Sequence, residues 1–213
     1  MNLFLLLVYI PFVLSASSSI SHPHTGVVTP FKPGKPDVKL GKKAESLLAS
    51  GSPYKTQLMS GARGRGLVVQ DIAAPSTVVW SRILDFDHYT EMVPRTVISE
   101  NYGVKGGRDR EIKTRMKLSA MVTQIEFFIR HMYYPSKNSL VWTLDYTRKS
   151  DIDDSCGFWY VIPHPTKPNW SRVYYSVEVS MFDWVPKVVI DILSKKALTE
   201  ATGWVKKQSE VRL

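Results

Sequence analysis

Five histidines, one cysteine and a three-aspartate loop are the residues whose chemistry has to be weighed first. His131 shares the parity of Ile125, Phe127 and Ile129, so it points to the covered side of a strand near that strand's end. A histidine there acts as a general base only when partners tune it, and an interior hydrogen bond makes it a packing residue instead. His88 lies in Asp85-Phe86-Asp87-His88-Tyr89, while His22, His24 and His164 sit in proline-rich segments and are expected to be exposed. Cys156 is the single cysteine, which excludes an intramolecular disulfide and a cysteine-based zinc cluster. Its expected place is inside a strand, as a small buried residue. Asp151, Asp153 and Asp154 lack the spacing and glycine of a calcium loop and read as a turn. No glycine-rich phosphate loop, His-Glu-x-x-His pair or serine-centred elbow occurs. No catalytic constellation, metal site or cofactor is expected.

Charge is the second chemical signal. The chain of 213 residues carries 28 Lys and Arg against 19 Asp and Glu, a net +9, which favours acidic partners such as anionic lipid, nucleic acid or an acidic protein. Lys105, Arg108, Arg110, Lys113, Arg115 and Lys117 form a local basic stretch. The alternating Lys113, Arg115 and Lys117 would share the wet face of one strand. No nucleic-acid motif accompanies them. The expected partner is an anionic membrane surface rather than nucleic acid, and a plain solvated sheet face is the alternative. Asn169-Trp170-Ser171 is a glycosylation sequon, set after Pro163, Pro165 and Pro168 in what reads as an exposed loop.

The elements that position these residues follow from hydrophobic period. Leu67–Ile72 reads as a first strand, ended by Ala74-Pro75. Ser76 is a good N-cap for a helix carrying Val78, Val79, Arg82 and Ile83, and Asp85–Tyr89 opens a second short helix that Pro94 stops. Strands with two-residue alternation follow. Ile112, Thr114, Met116 and Leu118 share one face of the first, and Ile125, Phe127 and Ile129 one face of the next. Leu140, Trp142, Leu144 and Tyr146, and then Val173, Tyr175, Val177 and Val179, do the same. One apolar and one wet face per strand is the pattern of antiparallel sheet covered on one side. Cys156–Ile162 is apolar on both parities, which leaves its inward face open. Pro186 starts an amphipathic helix through Val188, Val189, Ile192, Leu193, Ala197, Ala201 and Trp204. The predicted fold is α+β, a curved antiparallel sheet wrapped on a long C-terminal helix, with two short helices after the first strand. Such a sheet leaves space against its helix. The expected lining is Ile112, Thr114, Met116, Ile125, Phe127, Ile129, Trp142, Leu144, Tyr175, Val177 and Ile192.

The N-terminal part is different in kind. Leu3–Leu14 is apolar and is followed by Ser15, Ala16 and Ser17, the layout of a signal peptide. No Lys or Arg precedes it and the uncharged run reaches Ile20, so an uncleaved signal anchor or another organelle leader stays open. Residues 21–62 are rich in Pro, Gly and Lys, including Lys32, Lys35, Lys39, Lys42 and Lys43, and read as a flexible basic linker with a short helix at Ala44–Leu48. Residues 63–213 then make one domain, expected to be a monomer.

Val69-Gln70-Asp71-Ile72-Ala73-Ala74-Pro75, Val79-Trp80-Ser81-Arg82-Ile83-Leu84-Asp85-Phe86-Asp87-His88-Tyr89 and Met92-Val93-Pro94 resemble the opening of the START and birch-pollen-allergen-like (SRPBCC) superfamily. The nearest subgroup is similar to the coenzyme Q-binding and polyketide cyclase/dehydrase-type domains. Gly157-Phe158-Trp159-Tyr160-Val161, Arg172-Val173-Tyr174-Tyr175-Ser176 and Pro186–Glu210 match later landmarks of the same family. The resemblance covers about Gly66 to Leu213 and implies a helix-grip fold. It also implies binding, and transfer in some members, of a hydrophobic ligand such as a lipid, sterol or quinone in an internal cavity. The alternative function it implies is an enzyme of the cyclase/dehydratase kind using the same cavity.

The leader and the sequon give one joint expectation. Protein recovered from its native host begins between about Ser15 and Ser21 and, where the host route is a eukaryotic secretory pathway, carries glycan on Asn169. N-terminal sequencing with a glycosidase mass shift checks both, and an intact Met1 on membrane-bound protein contradicts cleavage.

Overall fold

The computed structural model describes residues 21–24, 28–60, 63–120, 123–183, 185, 198 and 200–211. Helix α1 (Lys42–Ala49) and strand β1 (Tyr54–Ser60) precede β2 (Arg63–Ile72). Next come α2 (Ser76–Ile83), a 3₁₀ turn (Phe86–His88) and α3 (Tyr89–Met92). Six strands follow: β3 (Thr96–Gly106), β4 (Arg110–Ala120), β5 (Thr123–Tyr134), β6 (Ser139–Leu144), β7 (Asp154–Pro163) and β8 (Ser171–Ser180). The last helix is α4 (Gly203–Glu210). All eight strands form one antiparallel sheet in the order β1-β2-β8-β7-β6-β5-β4-β3.

Register sorts the side chains as the alternation predicts. Met116 lies opposite Phe127, Thr114 opposite Ile129 and Ile112 opposite His131. His131 in turn lies opposite Trp142, Trp142 opposite Gly157 and Trp159 opposite Tyr175. These residues share the concave face, against which α2, α3 and α4 pack to build the main core. Register also orients the strand the sequence left open. Gly157, Trp159 and Val161 face the concave core, and Cys156 and Phe158 face the convex side.

Both parities of β7 are apolar because both are covered. Residues 28–31 cross the convex side: Val28 N–H donates to Asp154 Oδ2 at 2.8 Å, the Cys156 thiol donates to the Thr29 carbonyl at 3.3 Å, and Phe31 packs edge-on against Phe158. Farther toward the N-terminus, His22 is buried. It donates from Nε2 to the Asp153 carbonyl at 2.7 Å and accepts at Nδ1 from Ser150 N–H at 3.2 Å. The linker expected over 21–62 is therefore corrected. It holds a strap, the predicted short helix as α1, and β1, an exposed edge strand paired with β2 over seven positions. Its prolines and glycines disfavour regular structure locally but do not forbid docking on a sheet.

Further differences have local causes. Pro75 occupies the N-cap of α2, in extended backbone, and Ser76 is the first helical residue. The Ser76 hydroxyl instead meets that of Ser171 at 3.1 Å. Of the long helix expected over Pro186–Glu210, α4 is present and Leu198 and Glu200 are helical, but Ala201 and Thr202 form a turn. There Thr202 donates to Gln70 Oε1 at 2.6 Å, and Gly203 follows, a poor helix former. Residues 1–20, and 186–197 with Ile192 among them, lie outside the described residues. Lys113, Arg115 and Lys117 do share the wet face of β4, yet each meets a carboxylate: Lys113 meets Asp145 at 2.9 Å, Arg115 meets Glu100 at 2.8 Å and Lys117 meets Glu126 at 3.1 Å. Asn169 is exposed in a loop and adopts a left-handed φ of 59°.

On the convex face, β2 and β8 are joined by a buried charge cluster. Asp71 and Arg172 are register partners and their side chains meet at 2.7 Å. Arg172 also binds Glu45 of α1 at 2.8 Å, and His164, whose side chain is covered rather than exposed, meets Asp71 at 2.9 Å. Burial alone would raise the Asp71 carboxyl, but Arg172 and then His164 outweigh it and hold its pKa below the ordinary 3.8. The pair's stability is thus present above the ordinary carboxylate value and is lost as pH falls through the lower folded value. Arg172→Met should cost about 3–5 kcal/mol in urea unfolding at pH 7, because it strands a buried carboxylate. The difference from wild type should shrink below pH 3.8. A pH-independent difference would show that the loss comes from packing instead.

Candidate functional site

Between the concave face and the helices lies a cavity of about 300 Å³. Its walls come from many elements: Met116 on β4, Phe127 and Ile129 on β5, Trp142 on β6, Trp159 on β7, Tyr175 on β8 and Trp204 on α4. Two glycines set how closely those walls approach. A Cβ on Gly157 would lie 2.1 Å from the Trp142 ring, so the indole rests directly on the bare strand. A Cβ on Gly66 would lie 2.2 Å from Leu198, so the chain entering the last helix rests on β2. A mid-strand glycine serves such close approach, at the cost of a side chain to pack.

The eleven residues expected to line this space are placed as follows. Met116, Ile125, Phe127, Ile129, Trp142, Tyr175 and Val177 are on the cavity wall. Ile112, Thr114 and Leu144 are not, and their assignment is corrected. Ile112 is packed in the main core, and Thr114 is fully buried with its hydroxyl 2.9 Å from His131 Nε2. Leu144 joins a smaller cluster with Ile125, Ile152, Met181 and Val185. Parity fixed the correct face for all three, but parity does not measure depth. Ile192 lies outside the described residues. The wall also holds residues that parity could not reveal: Phe86 and Tyr89, from the short helices, and Trp159, from the strand whose two faces read alike.

Polar groups are few inside. His131 lines the cavity at 4% exposure, stacked on Phe86 with centroids 4.3 Å apart. Its Nδ1 is buried without a hydrogen-bond partner. An unsatisfied buried polar atom costs about 1–3 kcal/mol. Burial pushes the imidazole pKa down to about 3, so the ring is neutral. The Tyr89 hydroxyl donates to the Ile83 carbonyl, and burial raises its pKa well above the ordinary 10.0. At the rim, Arg95 of the β3 approach pairs with Glu200 beside the last helix. Arg95 holds a φ of 65°, a left-handed conformation unfavourable for a long side chain, at the point where the ion pair forms. The cavity is therefore apolar, nearly uncharged within, and bordered by an ion pair. It can enclose a hydrophobic molecule.

Several solved structures share this architecture. A START superfamily protein from Mycobacterium smegmatis aligns with a TM-score of 0.55 at 16% identity, covering 74% of this chain and 97% of the other. The Zhui aromatase/cyclase from Streptomyces sp. R1128 aligns at 0.56 and 12% identity, covering 74% and 94%. The chain has the START-like fold. A STAR-related lipid transfer protein fragment from Xanthomonas axonopodis aligns with the same fold at 0.56 and 11% identity, covering 73% and 90%. No family model matches the chain, and no curated protein sequence matches it. The START-like fold is thus carried here by topology and face pattern, with little sequence in common.

The neutral His131 gives a pH prediction. Its folded pKa of about 3 lies below the ordinary 6.5, so between those values the unfolded chain takes up a proton that the folded chain refuses. Its contribution to stability is complete above pH 6.5 and declines as pH falls toward 3, with a slope of at most about 1.4 kcal/mol per pH unit. His131→Gln should flatten the unfolding free energy between pH 4 and 6. An unchanged slope would show that other groups carry the acid sensitivity.

Proposed function

We propose that this chain is a binding and transfer protein for a hydrophobic small molecule held in the cavity beneath the concave sheet. The observation that carries the proposal is an internal space of about 300 Å³ walled by apolar and aromatic side chains from β4 to β8 and α4. This is within the size range of small-ligand sites, roughly 300–1,000 Å³. The names of its structural neighbours, a STAR-related lipid transfer protein among them, support it. The candidate ligands remain a lipid, a sterol or a quinone. A cyclase or dehydratase, as the aromatase/cyclase neighbour would suggest, needs a group that exchanges protons near neutrality. His131 is buried, and its pKa of about 3 suits it poorly to that role.

Docking to an anionic membrane surface belongs to the same proposal. Lys113, Arg115 and Lys117 of β4 are engaged by Asp145, Glu100 and Glu126, so the exposed Lys32, Lys35 and Lys39 of the strap, with Lys42 and Lys43 of α1, are the better docking groups. We also propose entry into the secretory pathway, on the sequence of Leu3–Leu14.

Organic extraction of the purified native protein, followed by mass spectrometry, should release a hydrophobic molecule in near-stoichiometric amount. The extracted protein should then move a fluorescent lipid between vesicles, faster with anionic lipid and slower in salt. Reversing Lys32, Lys35 and Lys39 to Glu should slow that transfer without lowering ligand occupancy. Protein that neither carries nor takes up any hydrophobic molecule would defeat the proposal.

A further inference from the structure

Three strands set the length of the cavity. Ile125, Phe127, Ile129 and His131, alternate residues of β5, all lie on its wall. Six residues of strand run about 20 Å. A space of about 300 Å³ drawn out over that length is long and narrow. Farther along the sheet, β7 and β8 give the wall two hydroxyl side chains, Ser155 and Tyr175. Register fixes their spacing. Trp159 opposes Tyr175 and Ser155 opposes Val179, so the two hydroxyl residues share the concave face and lie four positions apart along the strands. Four positions correspond to about 13 Å. Between them the wall is apolar, formed by Val177 and by the Trp142 indole resting on Gly157.

The two hydroxyls differ from the other polar groups of the wall. His131 Nδ1 is sealed from the space, and its Nε2 meets Thr114 at 2.9 Å. The Tyr89 hydroxyl donates to the Ile83 carbonyl. Arg95 and Glu200 pair with each other at the rim. Ser119 belongs to the same rim, its N–H donating to the Arg95 carbonyl at 2.8 Å, and Gln57 and Arg65 are exposed. By contrast, the Ser155 and Tyr175 oxygens are open to the cavity, and among the described residues neither has a hydrogen-bond partner. Ser155 is only 5% exposed, so water outside the protein does not serve its hydroxyl. Burial raises the Tyr175 pKa above the ordinary 10.0, which keeps that group a protonated donor. A hydroxyl both donates and accepts, so each can answer a neutral oxygen on a ligand. A carboxylate or ammonium at either place would lack a countercharge.

Resting on the proposal that the cavity holds a hydrophobic ligand, we infer that Tyr175 and Ser155 are two terminal seats for one elongated, uncharged molecule that carries a hydrogen-bonding oxygen at each end of an apolar body. The spacing of the seats selects the length of that body. A molecule with one polar end leaves one seat unanswered, and a molecule with both oxygens at the same end leaves the far seat unanswered as well.

The test uses the extracted full-length protein in calorimetric titrations with 1-decanol, 1,10-decanediol and 1,2-decanediol. The two diols are isomers and differ only in where the second oxygen stands. In a cavity with one seat or none, the far hydroxyl of 1,10-decanediol is buried unpaired and weakens binding about tenfold or more relative to 1-decanol. With two seats, 1,10-decanediol should bind at least as tightly as 1-decanol and about tenfold tighter than 1,2-decanediol. Tyr175→Phe and Ser155→Ala, which remove only the oxygens, should each weaken 1,10-decanediol about tenfold. Both should leave 1-decanol unchanged, because it turns end for end into the remaining seat. Far-ultraviolet circular dichroism verifies each variant's fold, and the wild-type order of the three probes decides the matter should a variant fail to fold. Weaker binding of 1,10-decanediol than of 1-decanol, equal binding of the two diols, or folded variants that bind 1,10-decanediol as the wild type does would overturn the paired seats and leave a general hydrophobic carrier standing. Binding of none of the three by well-folded extracted protein would overturn the paired seats and the carrier proposal together.

Discussion

Ten residue pairs between β2 and β8, from Arg63 opposite Ser180 to Ile72 opposite Ser171, join the start of the sheet to its last strand. Without that ladder β1 and β2 would be a separate hairpin, and α4 would lose the β2 surface it packs on. Its register also decides which side chains meet the cavity. In the observed pairing Val68 opposes Tyr175 on the concave side and Asp71 opposes Arg172 on the convex side. A slip of one residue in β8 would exchange those faces. The guanidinium of Arg172 would then enter an apolar enclosure, away from Asp71, Glu45 and water, at a heavy desolvation cost. The charge cluster thus opposes the one misalignment that would ruin the site, whatever its net effect on stability.

The cavity arises because large rings are placed where the backbone allows close approach. Gly157 lets the Trp142 indole lie against the sheet, and Gly66 lets Leu198 do so at the other side. These contacts bring the walls together at two places. Between them the rings of Phe86, Tyr89, Trp159, Tyr175 and Trp204 meet one another across the interior. Flat rigid groups of this size pack less adaptably than leucine or methionine, which leaves a shaped space where a mixed aliphatic core would close.

Much of the architecture was legible because β4, β5, β6 and β8 each keep strict alternation, and period two is a direct readout of a sheet with distinct faces. The strands that escaped notice have identifiable reasons. β3 carries irregularities between Thr96 and Ile98 and between Asn101 and Gly103, and each resets the parity. β1 is an exposed edge with no buried face to betray it. The strap was hidden for another reason, since its partner surface on β7 is 127 residues away at Cys156 and Thr29. The double apolar parity of β7 was its trace, visible as an ambiguity and explained once both sides were seen covered. At the site, alternation found the face of Met116, Phe127, Trp142 and Tyr175 but could not grade Ile112, Thr114 and Leu144 by depth. Nor could it reach Phe86 and Tyr89, whose positions depend on how a short helix folds back over the sheet.

The strap gives the molecule a built-in chemical clock. Cys156 is the chain's sole thiol, it is fully buried, and burial pushes its pKa up to about 12, so in the closed structure it is neither accessible nor ionised. What covers it from the convex side is Thr29 and the chain around it, not the core that surrounds Trp142. Lifting those few residues would uncover the sulfur while the ladder behind it stays paired. The rate at which a thiol reagent reaches Cys156 in native buffer therefore reads the opening of one segment, separately from global unfolding.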